Sequence, residues 1–168
     1  MFKSVRMIDF RDETPHDWKA VTEVVSSAFG QLAEAELVNE LRKAGDRVVS
    51  MVADEDGQIV GHVLLSRMDA PFPALALAPV SVIPTRQRSC IGSALVKRAV
   101  ESARNKGWAA IFVLGDPHYY ERFGFDREAA AGFSSPYAGP HFMVLSLVAS
   151  LPVTTGELRH APAFAALD

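Results

Sequence analysis

The stretch from Ala74 to Leu114 constrains the fold more than any other part of the chain. Ala74 to Ile83 is a mostly apolar run, long enough for a strand buried on both faces, and Pro84 ends it. Ile91 to Lys106 places apolar residues at helical spacing, and Trp108 to Leu114 is again strand-like. This order predicts a crossover between parallel strands. Its loop then lies at the carboxyl end of the first strand, where ligands bind in open α/β sheets.

The flanking segments add strands and helices to this crossover. Thr14 before Pro15 is typical of a helix start, with a cap followed by a proline in the first turn. The Asp56-Gly57 pair predicts a tight antiparallel hairpin. The other predicted elements are a strand from Val5 to Phe10, a helix to about Phe29, a helix from Gln31 to Ala44 ended by Gly45, and strands from Arg47 to Ala53, Gln58 to Arg67 and Phe142 to Val148.

Composition narrows the class of protein. With 168 residues, 49% of them hydrophobic, we expect one globular domain over residues 1–168, with the tail from about residue 152 packed on it. The single cysteine excludes an internal disulfide framework, and with five scattered histidines it predicts no metal site. The net charge of −3 and the lack of a long apolar run indicate a soluble, cytoplasmic protein with neither nucleic-acid nor membrane partners.

The loop of the crossover, RQRSCIGS from Arg86 to Ser93, is a candidate anion site. Backbone N–H groups at the start of the following helix carry the positive end of its dipole, and Gln87, Arg88 and Ser89 add donors. The alternative is a plain strand-to-helix turn whose arginines are solvated.

A second motif follows the last strand of the crossover. In LGDPHYYERFGF, Leu114 to Phe125, Asp116 can cap a short helix and Pro117 can take its first position. That helix carries two tyrosines.

These motifs resemble the GNAT superfamily of acyl-CoA-dependent N-acetyltransferases, in particular its YhbS-like branch. Gln87 to Gly92 matches the loop pattern Q/R-x-x-G-x-G/A, with Cys90 in place of the first glycine, and Tyr120 to Phe125 matches Y-E-x-x-G-F. Leu77 to Pro84 is similar to the strand that lines the pantetheine arm, and Glu34 to Gly45 to the second helix.

The resemblance implies an α/β GNAT fold with a mixed central β-sheet of six to seven strands flanked by helices. It implies acetyl-CoA as cosubstrate and direct attack by an amine, without a metal. The splay between the strands that end near Ile83 and Leu114 admits the pantetheine, the backbone near Val82 contacts the developing oxyanion, and Tyr120 donates a proton to the departing thiolate. The implied cofactor-binding residues are Val80, Ser81, Val82, Gln87, Arg88, Ser89, Cys90, Ile91, Gly92 and Ser93.

Each candidate side chain also has a simpler interpretation. Tyr120 is otherwise a half-buried aromatic packed on Phe123, and Tyr119 is expected to point elsewhere on the short helix. His118 is a base or, more often in such positions, a surface residue. Glu34 and Glu36 face either the acceptor or solvent.

Cys90 is the clearest departure from the family pattern. Because helix N-termini normally use right-handed backbone angles, which cysteine adopts, we expect the loop to keep its shape. A Cys90→Gly variant should then bind acetyl-CoA equally well or more tightly. The thiol is either a site of oxidation or acylation or, more simply, a small side chain tucked beside the sheet.

The expected function is acetyl transfer to a small-molecule, protein or peptide amine. The alternatives are a non-catalytic acyl-CoA-binding module with the same fold and an acyltransferase that uses a longer acyl-CoA. The acceptor pocket is expected between the first two helices and the segment from Ala129 to His141, where Ser134, Ser135 and Tyr137 either touch the acceptor or form a loop. A homodimer is the default expectation.

Overall fold

A computed structural model describes residues 7–167 of the chain. Its strands are β1 (Ile8–Asp12), β2 (Arg47–Glu55), β3 (Gln58–Asp69), β4 (Ala74–Val82), β5 (Ala110–Leu114), β6 (Phe133–Ser134), β7 (Phe142–Ser146), β8 (Gly156–Glu157) and β9 (Arg159–His160). Its α-helices are α1 (Trp18–Phe29), α2 (Ala33–Ala44), α3 (Ile91–Asn105), α4 (Pro117–Tyr120) and α5 (Arg127–Ala130).

The main sheet has seven strands in the order β1-β2-β3-β4-β5-β7, with β9 paired to β3. Neighbouring strands are antiparallel except β4 and β5, which are parallel. The predicted crossover and the predicted mixed sheet are therefore confirmed. At the hairpin between β2 and β3, Asp56 and Gly57 have φ of 51° and 90°, the left-handed angles that such a tight turn requires.

Element boundaries shift from the sequence predictions at both ends of the chain. Val5, where the first predicted strand begins, lies outside the described residues, and β1 runs on to Asp12. The Thr14-Pro15 pattern starts a 3₁₀ turn, Pro15–Asp17, instead of α1 itself. Asp17 accepts hydrogen bonds from the Thr14 backbone and from Arg11, so the first turn is fixed before the α-helix begins.

The two faces of the sheet carry separate cores. On one face, the buried side chains of α1 and α2 pack with a group of phenylalanines that includes Phe112, Phe133 and Phe142. On the other face, α3 packs its apolar stripe on the sheet together with Tyr120 and Phe125. The crossover loop and α4 thus belong to one face, and the first two helices belong to the other.

A buried polar network ties α2 to the sheet. The fully buried Glu13 carboxylate accepts two hydrogen bonds from Arg42 of α2, at 2.9 and 2.7 Å, and one from Arg47. His62 Nε2 of β3 lies 3.7 Å from Glu13 Oε2 and 2.8 Å from the hydroxyl of Ser50. Burial raises the pKa of Glu13, but hydrogen bonding and charge from Arg42, together with His62, outweigh it and leave the pKa below its ordinary value.

The C-terminal segment packs on the face of α1 and α2. Strand β9 pairs with β3 at Met68 and Asp69, beyond the point where the first residue of β2, Arg47, pairs with Ser66. Leu158 and Phe164 are buried in the same core as α1 and α2, and a 3₁₀ turn spans Pro162–Leu167. Within residues 7–167, no helix has both the length and the apolar character needed to cross a membrane.

Candidate active site

The loop between β4 and α3 folds back on the end of its strand. A 3₁₀ turn covers Pro84–Arg86, and the Ser89 hydroxyl donates to the carbonyl of Arg86. Gln87 Nε2 donates to the carbonyl oxygen of Val82 at 3.1 Å. The Ser89 hydroxyl therefore stabilises the turn itself, whereas Gln87 links the loop to the last residue of β4.

The backbone of this loop is strained at two positions. Cys90, the residue before α3, has φ 65° and ψ 8°, and Arg88 has φ 67°. The expectation of right-handed angles at Cys90 is wrong, because the chain must turn from an extended Gln87 into the helix within three residues. A left-handed backbone costs a non-glycine residue about 1–2 kcal/mol, which explains the glycine of the family pattern. The Cys90 side chain is also exposed instead of tucked beside the sheet.

The first cavity, about 370 Å³ in volume, lies against this loop; we call it the loop cavity. Most of the predicted cofactor residues line it. Its lining consists of Val82, residues 86–88, residues 90–93, Tyr119 and Arg122.

Donors for an anion converge on the loop cavity. The first hydrogen bond within α3 runs from Ala94 N to Cys90 O, so the N–H groups of residues 91–93 precede the helical ladder. Two guanidinium groups, Arg88 and Arg122, are exposed beside them. Arg86 is engaged in an ion pair with Glu55. The cavity therefore combines backbone donors with two available positive charges, which suits a pyrophosphate.

Tyr119 and Arg122 are cavity residues that the sequence reasoning missed. The Tyr119 hydroxyl lies 3.3 Å from Ser93 Oγ, to which Arg122 Nη2 also donates at 3.3 Å. The Arg122 guanidinium stands 4.6 Å from the centre of the Tyr119 ring. Tyr119 is in α4 and Arg122 is in the 3₁₀ turn that follows it, and their spacing of three residues, which places both on one side, was the available signal.

Gly92 leaves room where α4 approaches α3. A Cβ at this position would lie 3.3 Å from the Tyr119 hydroxyl and 3.6 Å from Val82 Cγ2. Even a small side chain would therefore be tightly packed, and a long one would have to enter the loop cavity.

Tyr120 has a different environment from Tyr119. Its side chain is 8% exposed, and its ring packs edge-to-face on Tyr119 and Phe125, with centroids 5.0 and 5.7 Å apart. A Cβ at Gly115 would lie 2.5 Å from this ring. The ring therefore packs directly on the backbone at position 115, where any residue other than glycine would clash with it. Burial, and to a lesser degree Tyr119, raises the pKa of the Tyr120 hydroxyl well above its ordinary value.

Strands β4 and β5 separate beyond a short paired region. Their parallel pairing runs from Ala74 opposite Ala110 to Ala76 opposite Phe112, whereas β4 continues to Val82. The Ile83 N–H donates to the carbonyl of Val60 in β3, so by strand alternation the N–H of Val82 points away from β3 and into the splay.

Val80 and Ser81 differ in what they present to the splay. The same alternation directs the Val80 N–H away from β3. The Ser81 side chain is 3% exposed and is the cross-strand neighbour of His62, so it lies on the same face of the sheet as the His62 side chain. Ser81 therefore offers no side-chain contact to the loop cavity.

The second cavity, about 500 Å³ in volume, lies on the other side of the splay; we call it the acceptor cavity. Residues 76–78 of β4 and 112–114 of β5 form its floor, and Gln31, Ala33 and Glu34 at the start of α2 form one wall. The opposite wall consists of Tyr137 and four residues of the C-terminal segment, namely His160, Phe164, Ala166 and Leu167.

The acceptor cavity only partly matches its predicted location. Glu34 and Tyr137, two of the residues predicted as possible acceptor contacts, line it. The wall formed by the C-terminal segment was not predicted. Glu36, Ser134 and Ser135 are not among its lining residues. His118 lines neither cavity; its side chain is exposed and its backbone N–H donates to Asp116 at 3.0 Å, which confirms Asp116 as the cap of α4. Among residues 7–167, no group of three or more His, Cys, Asp or Glu side chains is placed to hold a metal ion.

Proteins with the same arrangement have been solved with coenzyme A compounds. The structure of the GNAT family N-acetyltransferase YhbS from Escherichia coli in complex with CoA superimposes with a TM-score of 0.91, at 28% identity, over 98% of this chain and 96% of that one. A GNAT family acetyltransferase from Brucella melitensis in complex with acetyl-CoA gives a TM-score of 0.80, at 30% identity, over 94% of this chain and 98% of that one.

Sequence comparison agrees with the structural likeness. The chain is 34% identical to the uncharacterized N-acetyltransferase YjhQ of Escherichia coli K12, with 94% of each chain covered. It is also 34% identical to YhbS of the same strain over 71% of this chain and 74% of that one. The acetyltransferase (GNAT) family matches residues 14–125, which span both the crossover loop and the Y-E-x-x-G-F motif. The chain therefore belongs to the GNAT family of acetyltransferases.

Proposed function

We propose that the protein transfers the acetyl group of acetyl-CoA directly to an amine, without a covalent enzyme intermediate. The observation that carries this proposal is the position of the two cavities along β4. The acceptor cavity is lined by residues 76–78 and the loop cavity by Val82. The part of β4 that is not paired with β5 therefore runs from one cavity to the other. A cosubstrate bound along this strand has its anionic end at the loop and its reactive end toward the acceptor.

The loop cavity fits the pyrophosphate of coenzyme A. The N–H groups of residues 91–93 and the guanidinium groups of Arg88 and Arg122 supply the donors. The complexes of YhbS with CoA and of the Brucella melitensis protein with acetyl-CoA support this assignment. In that arrangement Gly92 keeps the cradle open between α3 and α4.

The splay suits the pantetheine arm and the thioester. When bound, acetyl-CoA supplies an activated acetyl group to the reaction. The backbone N–H groups of Val80 and Val82 point into the splay. In this proposal the N–H of Val82 donates to the oxygen on which negative charge develops, a role that such fixed dipoles fill well in a site shielded from water.

Tyr120 is the proposed proton donor to the departing sulfur. Burial raises the pKa of its hydroxyl, so the residue carries its proton at neutral pH. The T-shaped packing against Tyr119 and Phe125 fixes the ring. Tyr120 lines neither cavity, but its ring lies against Gly115, directly after β5, and its hydroxyl holds a proton that it can give to the sulfur as the thiolate forms.

The test has two parts. Calorimetric titration with acetyl-CoA and with CoA measures binding, and amine-dependent release of the CoA thiol measures transfer. Saturable binding with amine-dependent thiol release supports the proposal. Binding without release from any amine would instead identify a non-catalytic acyl-CoA-binding module, and no binding would reject the cofactor assignment.

A further inference from the structure

The acceptor cavity has one formally charged group among the residues that line it, apart from the titratable His160. Glu34 contributes a carboxylate, and no lysine or arginine is among the lining residues. Ten of the fourteen lining residues are alanine, valine, leucine or phenylalanine. The cavity is therefore apolar with a single negative pole, the reverse of the loop cavity with its guanidinium groups.

The carboxylate of Glu34 is held in place. Gln31 Nε2 donates to Glu34 Oε1 at 2.8 Å and lies 3.1 Å from Oε2, and both residues belong to the wall at the start of α2. Glu34 is also in the first turn of α2, where the helix dipole favours a negative charge. The carboxylate is thus oriented toward the cavity wall that it shares with Gln31, as a binding site for a cation requires.

The rim of this cavity is apolar as well. Leu114 and Leu167, which line it, are 53% and 39% exposed, and Leu32, between two lining residues, is 61% exposed. Large apolar side chains grouped at the mouth of a cavity mark a surface that an apolar ligand covers.

The C-terminal wall is aromatic. The His160 ring stands edge-to-face with Tyr137, centroids 4.7 Å apart, and with Phe164 at 5.0 Å. Rings arranged in this way accept a flat apolar group in offset or edge-on contact.

Size and charge together exclude several acceptor classes. About 500 Å³ is within the range of small-molecule sites, and His160, Phe164, Ala166 and Leu167 occupy one side of the cavity, which leaves less room for a polypeptide acceptor. An amino acid would bring a carboxylate into a cavity whose described lining residues include no lysine or arginine, and burying an unpaired charge is costly.

We propose that the acceptor is a small primary amine with an apolar, preferably aromatic, body and no carboxylate, and that Glu34 binds its ammonium group. This inference rests on the acetyl transfer proposed above.

The ammonium loses one proton to solvent by way of the Glu34 carboxylate. The nitrogen then forms a bond to the acetyl carbon, the carbon–sulfur bond breaks with its electron pair going to sulfur, and Tyr120 gives the sulfur a proton. The nitrogen releases its second proton to solvent, from which Tyr120 is reprotonated, so an ammonium ion and a thioester yield an amide, a thiol and one proton.

A matched panel of acceptors tests the substrate class. With saturating acetyl-CoA, we expect kcat/KM for phenethylamine to exceed that for phenylalanine, which adds only a carboxylate, by about 50-fold or more. Spermidine, which lacks an apolar body, and a short peptide with a free N-terminus should also be poor acceptors. If acetyl-CoA binds but phenylalanine, spermidine or the peptide is preferred, the substrate class is overturned while acetyl transfer stands. If acetyl-CoA does not bind, both proposals fall.

Two pairs of variants test the site itself. Glu34→Gln should weaken the binding of phenethylamine to the protein without acetyl-CoA, measured by calorimetry, by about 10-fold or more, because a charge-assisted hydrogen bond is lost. Glu36→Gln, on the same helix but outside the cavity, should leave it unchanged. Leu167→Arg should weaken it too, whereas Val153→Arg, at the same 39% exposure but outside the cavity, should not. Acetyl-CoA affinity should stay the same in all four; equal effects within either pair would overturn the assignment.

Discussion

The two cavities are built in different ways. The loop cavity takes most of its lining from a single stretch, residues 82–93, with two additions from α4 and the turn after it. The acceptor cavity draws on five separate parts of the chain: the start of α2, the middle of β4, the end of β5, Tyr137 and the C-terminal segment. A site made from one stretch can be recognised from its local pattern, whereas a site made from distant pieces exists only once the chain has folded.

The cavities also differ in charge and in backbone strain. Arginines and helix N–H groups surround the first, and a single carboxylate and aromatic rings surround the second. The left-handed residues Arg88 and Cys90 belong to the loop cavity alone. Perturbing one cavity should therefore leave binding at the other intact.

The largest expected effect is that of Gly92→Glu. Its side chain must enter the loop cavity, where it removes space and adds negative charge, so acetyl-CoA should bind about 100-fold more weakly or not at all, a loss of at least about 2.7 kcal/mol. Calorimetry measures this directly, and phenethylamine binding should persist. Ala94→Glu adds the same charge to α3 outside the cavity. An equal loss in that control would show that charge, and not the space at Gly92, decides binding.

Tyr120→Phe should lower kcat by about 100-fold while leaving acetyl-CoA affinity unchanged, because only the proton donor is removed. Steady-state kinetics with phenethylamine measures kcat, and calorimetry measures affinity. Tyr119→Phe is the matched control: it loses the hydroxyl near Ser93 and should change mainly the KM for acetyl-CoA. If Tyr119→Phe lowers kcat more than Tyr120→Phe does, the donor has been assigned to the wrong tyrosine.

The buried polar network of Glu13, Arg42 and His62, which ties α2 to the sheet, makes the free energy of unfolding depend on pH. Burial lowers the pKa of His62 to about 4, although the nearby Glu13 carboxylate acts to raise it. The unfolded chain takes up a proton at this residue below about pH 6.5, while the folded chain does not until about pH 4. The unfolded state therefore binds more protons in this window, and stability falls as the pH is lowered through it, by about 2 kcal/mol between pH 7 and 5.

Urea denaturation at pH 7 and pH 5 measures this loss. In His62→Gln the difference between the two pH values should shrink by most of the contribution of His62, whereas exposed His118→Gln should keep it in full. An unchanged difference in His62→Gln would remove His62 as its source. Acetyl-CoA affinity of the folded protein should not follow this pH dependence, because the network lies on the other face of the sheet.

The smallest expected effect is that of Cys90→Gly. Relief of the left-handed backbone should raise the free energy of unfolding by about 1 kcal/mol, with acetyl-CoA binding unchanged or tighter. Cys90→Ala keeps a Cβ and loses only the thiol, so it should match the wild type in both measurements. Stabilisation by alanine equal to that by glycine would mean that the thiol, not the backbone angle, is the unfavourable element.

Much of the fold could be predicted because local signals agreed with one another. Apolar runs gave β4, α3 and β5, Gly45 ended α2 with the expected left-handed angles, and the Asp-Gly pair gave the hairpin. The start of α1 was less accurate. Thr14 and Pro15 open a 3₁₀ turn stabilised by Arg11, a contact from another element that no local pattern contains.

The loop cavity was predictable in outline and the acceptor cavity mostly was not. The helix-start chemistry of residues 86–93 is local, but the angle at Cys90 depends on how the loop meets α3. The pairing of β9 with β3, by contrast, depends on β2 beginning opposite Ser66, which leaves Met68 open to His160, a residue more than ninety positions away. Short segments such as β8 and β9 carry too few residues for any periodicity to reveal them.

The attachment of β9 has a consequence for how such enzymes diversify. Because β9 joins β3 past the first residue of β2, residues 156–167 pair with no residue of β3 that also pairs with β2. The residues of the acceptor wall can therefore change between relatives while the loop between β4 and α3 stays the same. A chimera that carries this segment from a relative should keep its acetyl donor and acquire the relative's choice of amine.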